Sequence, residues 1–228
     1  MVIKIHYFKD TLLEKPREKA SRLGMSSLSD VELLALLLET GDKHENVLEL
    51  SNRYLKEKGG LSGVFSKEEK ELLAFGVKKA KVFRLLAVKE VLVRLPLSKG
   101  NKIPDSDTAF EKSKYFFLGR KTESLLVFYL SANKNLIKQE SFNFCEISQV
   151  YIPIKAIIKE AMKEEANSVI LLHNHTSGSL VPSRDDEKNT KEISFKLKGL
   201  GILLLDSLIV FENEYASLRK LQPSLFDQ

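Results

Sequence analysis

Two histidines, His173 and His175, stand at the end of an apolar run, Ser168-Val169-Ile170-Leu171-Leu172. The run is too short for a helix and is bounded by polar residues, so it reads as a buried strand. Residues i and i+2 of a strand point to the same side. Both imidazoles therefore face one point, with Asn174 turned away. A loop containing Ser, Gly and Pro follows, and Asp186 then opens a helix. Two imidazoles and one carboxylate suit a divalent transition metal and leave a coordination position for water. That is the pattern of a catalytic centre rather than a closed structural one. One zinc ion per chain, held there, would bring the pKa of its water to about 7. Hydrolysis at such a centre needs a carboxylate near the water as base. It also needs a donor for the oxyanion of the tetrahedral intermediate, and Ser183 is the local hydroxyl. Taken singly these residues have plainer explanations. A His-x-His pair at a strand end is often two hydrogen-bonded histidines, and Ser183-x-x-Asp186 is also a helix capping box. Together, at this spacing between a strand and a helix, they point to a metal site.

The surrounding elements divide at residues 99–105, where Pro104, Gly100 and polar residues, with Pro96 just before, continue neither helix nor strand. Residues 1–98 read as a small all-helical domain. Ser29-x-x-Glu32 is a capping box ahead of Val31–Leu38, and Thr40-Gly41 ends that helix. A second helix runs from Val47 to Leu55 and is closed by Gly59-Gly60. Ser66-x-x-Glu69 reads as another capping box, and a longer helix extends from Val77 to Leu95. Residues 106–221 change period. Strands are expected at 125–130, from Leu136, at 168–172, within 202–211 and at 215–218, with helices at 153–165 and 185–200. Strands alternating with helices make an α/β sandwich-like domain. Residues 222–228 form a tail. The expected architecture is α plus α/β.

With 228 residues, 43% hydrophobic and 29% charged, the chain can bury a core. That composition excludes a disordered chain, a collagen-like fibre and a coiled-coil rod. Its single cysteine, Cys145, excludes an internal disulfide framework and a Cys-cluster zinc finger, and reads as a small buried side chain. No apolar run approaches the roughly 18 residues of a membrane helix. Residues 1–6 carry no export signal, so a soluble cytoplasmic protein is expected. The net charge of +5 is uneven: residues 1–98 carry +4 and residues 99–228 carry +1. Such an excess favours an acidic partner such as nucleic acid, or is simply a solvated Lys-rich surface.

The segment His173-Asn174-His175-x-Ser177-Gly178-x-x-x-Pro182-Ser183-x-x-Asp186 resembles the JAMM (MPN+) metalloprotease signature, and in this form the bacterial RadC family. Pro16-Arg17-Glu18-Lys19, Leu28-Ser29-Asp30-x-Glu32-Leu33-Leu34-Ala35 and Thr40-Gly41 resemble the family's helical N-terminal domain. Gly199-Leu200-Gly201-Ile202 and Tyr215-Ala216-Ser217 resemble its C-terminal end. The resemblance implies a JAMM/MPN-like (cytidine-deaminase-like) fold, His173, His175 and Asp186 as zinc ligands, and Ser183 as oxyanion donor. The register Leu130-x-x-Asn133-x-x-Leu136-Ile137 places the family's catalytic glutamate at Glu123. It implies a metallopeptidase or isopeptidase acting on a protein or peptide substrate, associated with DNA repair. Thr176, Ser131 and Ser207 depart from the family pattern, in places that bear on substrate preference and on the surroundings of the ligands. The contiguous letters His-Asn-His are not an HNH nuclease motif, whose residues lie far apart. A two-His-one-carboxylate iron oxygenase fits less well, because Ser183 and a helix-borne Asp186 suit a hydrolase.

Ala74-Phe75-Gly76-Val77-Lys78-Lys79-Ala80-Lys81 resembles the hairpin of a helix-hairpin-helix module, which offers N–H groups to a phosphate. Lys78, Lys79, Lys81 and Arg84 are the candidate DNA contacts, although Ala74 stands where such hairpins carry a glycine. The tail Gln222-Pro223-Ser224-Leu225-Phe226 resembles the short peptide inserted into the bacterial sliding clamp. Gln222, Leu225 and Phe226 would be its anchors at a free, mobile end; the plainer alternative is that Leu225 and Phe226 pack on the chain's own surface. A function of another class also fits the sequence: a DNA-associated scaffold whose metal site is structural or vestigial.

Overall fold

A computed structural model describes residues 14–96, 98–143 and 152–227. Cys145 and residues 1–6, on which burial and export were read, lie outside the described residues. The chain forms two compact units divided after Leu86.

The first unit contains α1 (Pro16–Leu23), α2 (Asp30–Leu38), α3 (Val47–Lys58), α4 (Gly60–Phe65), α5 (Glu69–Ala74) and the start of α6 (Lys79–Arg94). Its helix starts are set by side chains that satisfy otherwise unpaired N–H groups. At α2, Ser29 N–H donates to Glu32 Oε2 (2.8 Å) and Glu32 N–H to Ser29 Oγ (3.3 Å). Asn46 and Glu49 do the same at α3. Gly59, in the left-handed region at φ +78°, closes α3. The box expected at Ser66 and Glu69 forms two residues later, where Glu68 N–H donates to Glu71 Oε2 (3.1 Å). Ser66 is already occupied, because its hydroxyl donates to Gly63 O (2.8 Å) at the end of α4. Leu34, Leu38, Leu50, Tyr54, Val64, Leu72, Val82 and Leu85 form the buried apolar interior.

The division falls inside α6 because Val93, near its end, packs with the core of the second unit. Residues 99–105, expected as a linker, are hydrogen-bonded into that unit. Gly100 N–H donates to Leu136 O, Leu136 N–H to Asn101 O and Ile103 N–H to Lys134 O, each at 2.8 Å. Ile103 is fully buried. The polar backbone of the segment finds its partners on a neighbouring hairpin rather than in water.

The second unit continues with α7 (Ser106–Phe117), β1 (Ser124–Leu130), β2 (Leu136–Asn143), α8 (Ile154–Lys163), β3 (Ser168–Asn174), α9 (Arg184–Lys198), β4 (Leu203–Phe211), β5 (Glu214–Ser217) and α10 (Leu218–Leu221). The strands form one sheet in the order β2-β1-β3-β4-β5. Among the described residues only β3 and β4 pair in parallel, and α9 makes the crossover between them. Alternate residues serve opposite layers. Leu125, Val127, Tyr129, Val169 and Leu171 face a core closed by Ile157 of α8 and by Ile193 and Leu197 of α9. Leu126, Phe128, Leu130, Ile170 and Leu172 face a second core closed by Ala109, Phe110, Phe116 and Phe117 of α7. Burial on both faces explains why β1 and β3 are unbroken apolar runs. Helix α7 is not among the expected helices; its start is capped by Asp105, which accepts from Thr108 N–H (2.8 Å). Asp206, buried in β4, accepts from the hydroxyls of Ser106 and Ser217 (both 2.6 Å) and from the N–H groups of Ser207 (2.7 Å) and Arg219 (3.1 Å).

Candidate metal centre

The parallel β3 delivers His173 to its C-terminal end, on the face that α9 covers. His173 is paired with Leu125 of β1 on one side and Ile209 of β4 on the other. The loop after Asn174 turns at once: Gly178 N–H donates to His175 O (3.2 Å), with Gly178 at φ +77°. The backbone angle favours glycine, and a Cβ there would press on the Phe211 ring at 3.0 Å. The turn brings Ser179 O within 2.9 Å of His175 Nδ1. At the far end of the loop, Ser183 caps α9 and sets Asp186 in its first turn. Ser183 Oγ accepts from Asp186 N–H (3.1 Å), while Ser183 N–H and Oγ–H both donate to Asp186 Oδ2 (2.8 and 2.6 Å).

Three groups thus converge. His173 Nε2 lies 3.0 Å from Asp186 Oδ1 and 3.1 Å from His175 Nε2, which is 3.1 Å from Asp186 Oδ2. His173 and Asp186 are buried and His175 nearly so. Burial opposes the charge of Asp186. Hydrogen bonds from His173 and His175, the charge of His173 and the Ser183 hydroxyl nevertheless hold its carboxyl far below the usual range. The hydrogen bond to Asp186 raises the His175 imidazole above its ordinary value against burial, helped by the Asp186 charge, Ser179 O and Glu123.

This donor set fits a cation. A carbonyl oxygen at His175 Nδ1 fixes a proton on that nitrogen, so in the neutral imidazole that a metal ion binds Nε2 is the lone-pair atom. That lone pair faces a second imidazole nitrogen and a carboxylate oxygen. Such electron-rich atoms at 3.0–3.1 Å need a positive charge among them, either a proton or a metal ion. Nitrogen and oxygen ligands in this number suit zinc or a similar divalent ion. The group His173, His175 and Asp186 could hold a metal, with its ligand atoms all within 4.8 Å of one another.

Glu123 stands immediately before β1, partly buried, with Oε1 accepting from Thr176 N–H at 3.5 Å. The residue that aims it is Asn174, which is not among the site residues expected from sequence. Asn174 Oδ1 accepts from Ser124 N–H (2.9 Å) and Asn174 Nδ2 donates to Thr122 O (3.2 Å). The amide grips the backbone on both sides of Glu123, and the side chain between them turns toward the histidine loop. The signal was present, since Asn174 sits between the two histidines. Its partners lie some 50 residues away and follow from the β1–β3 register, not from local spacing.

The remaining candidates are dispersed. Lys78 and Lys79 are exposed after the left-handed Gly76 between α5 and α6. Lys81 is buried instead, and its ammonium donates to Thr40 O and to Gly41 O (2.9 Å). Those carbonyls follow the end of α2, where a cation is favoured. Arg84 pairs with Glu39 at 3.0 Å. Two of the four expected phosphate contacts are therefore engaged within the first unit. The tail is docked rather than free. The Gln222 side chain donates to Glu187 in the first turn of α9, Leu225 packs partly buried, and Phe226 lies 6% exposed in the core under the Arg219 guanidinium (4.2 Å).

Residues 103–223 match the family described as RadC-like JAB domain, and residues 11–83 match UPF0758 N-terminal. A UPF0758 protein of Clostridium perfringens is 38% identical over 211 residues, covering 91% of this chain and 92% of its own. A UPF0758 protein of Clostridium tetani is 36% identical over 215 residues, covering 91% and 92%. One from Streptococcus gordonii is 32% identical over 220 residues, covering 95% and 96%.

Proposed function

The chain belongs to the RadC-like JAB domain family, and from that premise we propose that it is a zinc-dependent hydrolase of peptide or isopeptide bonds acting in DNA metabolism. One observation carries the metal: His175 Nδ1 is held by Ser179 O at 2.9 Å, so that its other nitrogen faces His173 and Asp186 as a ligand. When bound there, zinc supplies Lewis acidity, polarising a carbonyl and acidifying water to a pKa near 7.

The chain's own residues supply the rest. Glu123, beside the Thr176 N–H, takes the proton of the attacking water and returns it to the leaving nitrogen. Asn174 holds the backbone that orients Glu123. Ser183 stabilises the oxyanion once its hydroxyl proton leaves Asp186 Oδ2, to which it donates at 2.6 Å. The exposed Lys78 and Lys79, at the start of α6, are the remaining phosphate contacts of the first unit. No helix among the described residues is long and apolar enough to cross a membrane.

Elemental analysis of the full chain purified without chelator tests the centre. About one zinc per chain is expected, and none in the His173→Ala, His175→Ala double variant. Metal-free wild type after growth in zinc overturns the proposal. Glu123→Gln separates an enzyme from a scaffold. An enzyme keeps its metal and loses cleavage of a peptide library, whereas a scaffold with a structural ion is indifferent to the change.

A further inference from the structure

Two buried polar atoms close to the ligands have no hydrogen-bond partner among the described residues: His173 Nδ1 and Thr190 Oγ1. They belong to one layer. Val169 and Leu171 of β3 face α9, and His173 continues that face by strand alternation. On α9, Thr190 lies one turn, about 5.4 Å, beyond Asp186, whose Oδ1 meets His173 Nε2 at 3.0 Å. Thr190 is fully enclosed, and His173 is 4% exposed. A buried hydroxyl or imidazole nitrogen left unpaired costs about 1–3 kcal/mol, and buried polar groups are almost always paired, by protein or by enclosed water. The two do not bond each other directly, and one enclosed water between them would satisfy both. His175 already shows the arrangement, with its rear nitrogen on Ser179 O.

We infer that Thr190 is a positioning residue of the centre: its hydroxyl accepts from the His173 Nδ1–H through one enclosed water and so presents Nε2 to the ion, an inference that rests on the metal function proposed above. Both imidazoles are then held from behind, His175 by a backbone carbonyl and His173 by a side chain.

Thr190→Val removes the hydroxyl and keeps the shape, and Thr190→Ser keeps the hydroxyl. Zinc affinity of the full chain, measured by competition with a chromophoric chelator, is expected to fall about 10–100-fold in Thr190→Val. Thr190→Ser is expected to stay near wild type, with all three metal-free proteins melting together. In the zinc-loaded protein, the His173 Nδ1–H resonance should exchange slowly with solvent in wild type and Thr190→Ser, and rapidly in Thr190→Val. A Thr190→Val chain that binds zinc as wild type does, or a Thr190→Ser chain that weakens equally, overturns the positioning role alone. Wild type that takes up no zinc overturns the metal centre and this role with it.

Discussion

Asn174 stands between two metal-ligand candidates and serves neither. Its amide holds Thr122 O and Ser124 N–H, and with them the direction of Glu123. Asn174→Ala is expected to keep zinc within about threefold of wild type while hydrolysis falls about 10²-fold, the cost of misplacing a catalytic group by an ångström. Parallel metal and rate measurements on the one variant would show it, and a joint loss would mean that Asn174 supports the histidines instead. Gly178 carries a second prediction. A methyl group there meets the Phe211 ring at φ +77°, so Gly178→Ala should lose about 1–2 kcal/mol in denaturant unfolding and should weaken zinc binding through Ser179 O. The ligands were legible in the sequence because a strand end, a loop and a helix start are local features. Glu123 was reached only through a family resemblance. Asn174 and Thr190 were not reached, because what they touch is decided by strand pairing and by helix-on-sheet packing.

At the level of elements, capping chemistry was the most readable signal, and it misled only at Ser66, where a short helix ending in Phe65 had already taken the hydroxyl. The α2 cap also predicts a pH effect. The Lys19 ammonium and the Ser29 N–H and hydroxyl hold the Glu32 carboxyl down to about 2, from an ordinary 4.5. The folded value is the lower one, so this stabilisation is complete above pH 4.5 and is lost as pH falls toward 2. Glu32→Gln should lower stability near neutrality and converge with wild type as pH falls toward 2, so that the acid limb flattens across that window, as followed by helical circular dichroism. Asp206 ties β4 to the start of α7 and to the β5–α10 corner through four donors. Asp206→Ala strands all four and is expected to destabilise the second unit by ~3 kcal/mol in urea unfolding. Helix α7 is less legible, because its cap, Asp105, closes a segment whose Pro and Gly content resembles a linker.

For the molecule as a whole, charge and architecture bear on different partners. The positive excess lies in residues 1–98, yet Lys81 and Arg84 are bound within that unit, so a phosphate-binding face would rest on few cations. If Lys78 and Lys79 contact DNA, changing both to Ala should reduce the salt slope of binding by about 2, measured by fluorescence anisotropy across salt concentrations. The C-terminal residues pose a sharper constraint. Gln222 reaches Glu187, one residue from Asp186, and Phe226 is buried beneath Arg219, so Phe226→Ala should lower stability by about 3 kcal/mol. The same few residues are needed in two places. Any outside groove that seized Leu225 and Phe226 would draw them out of the molecule and unfasten the helix that carries Asp186, so capture by such a partner and retention of the ion would pull against each other.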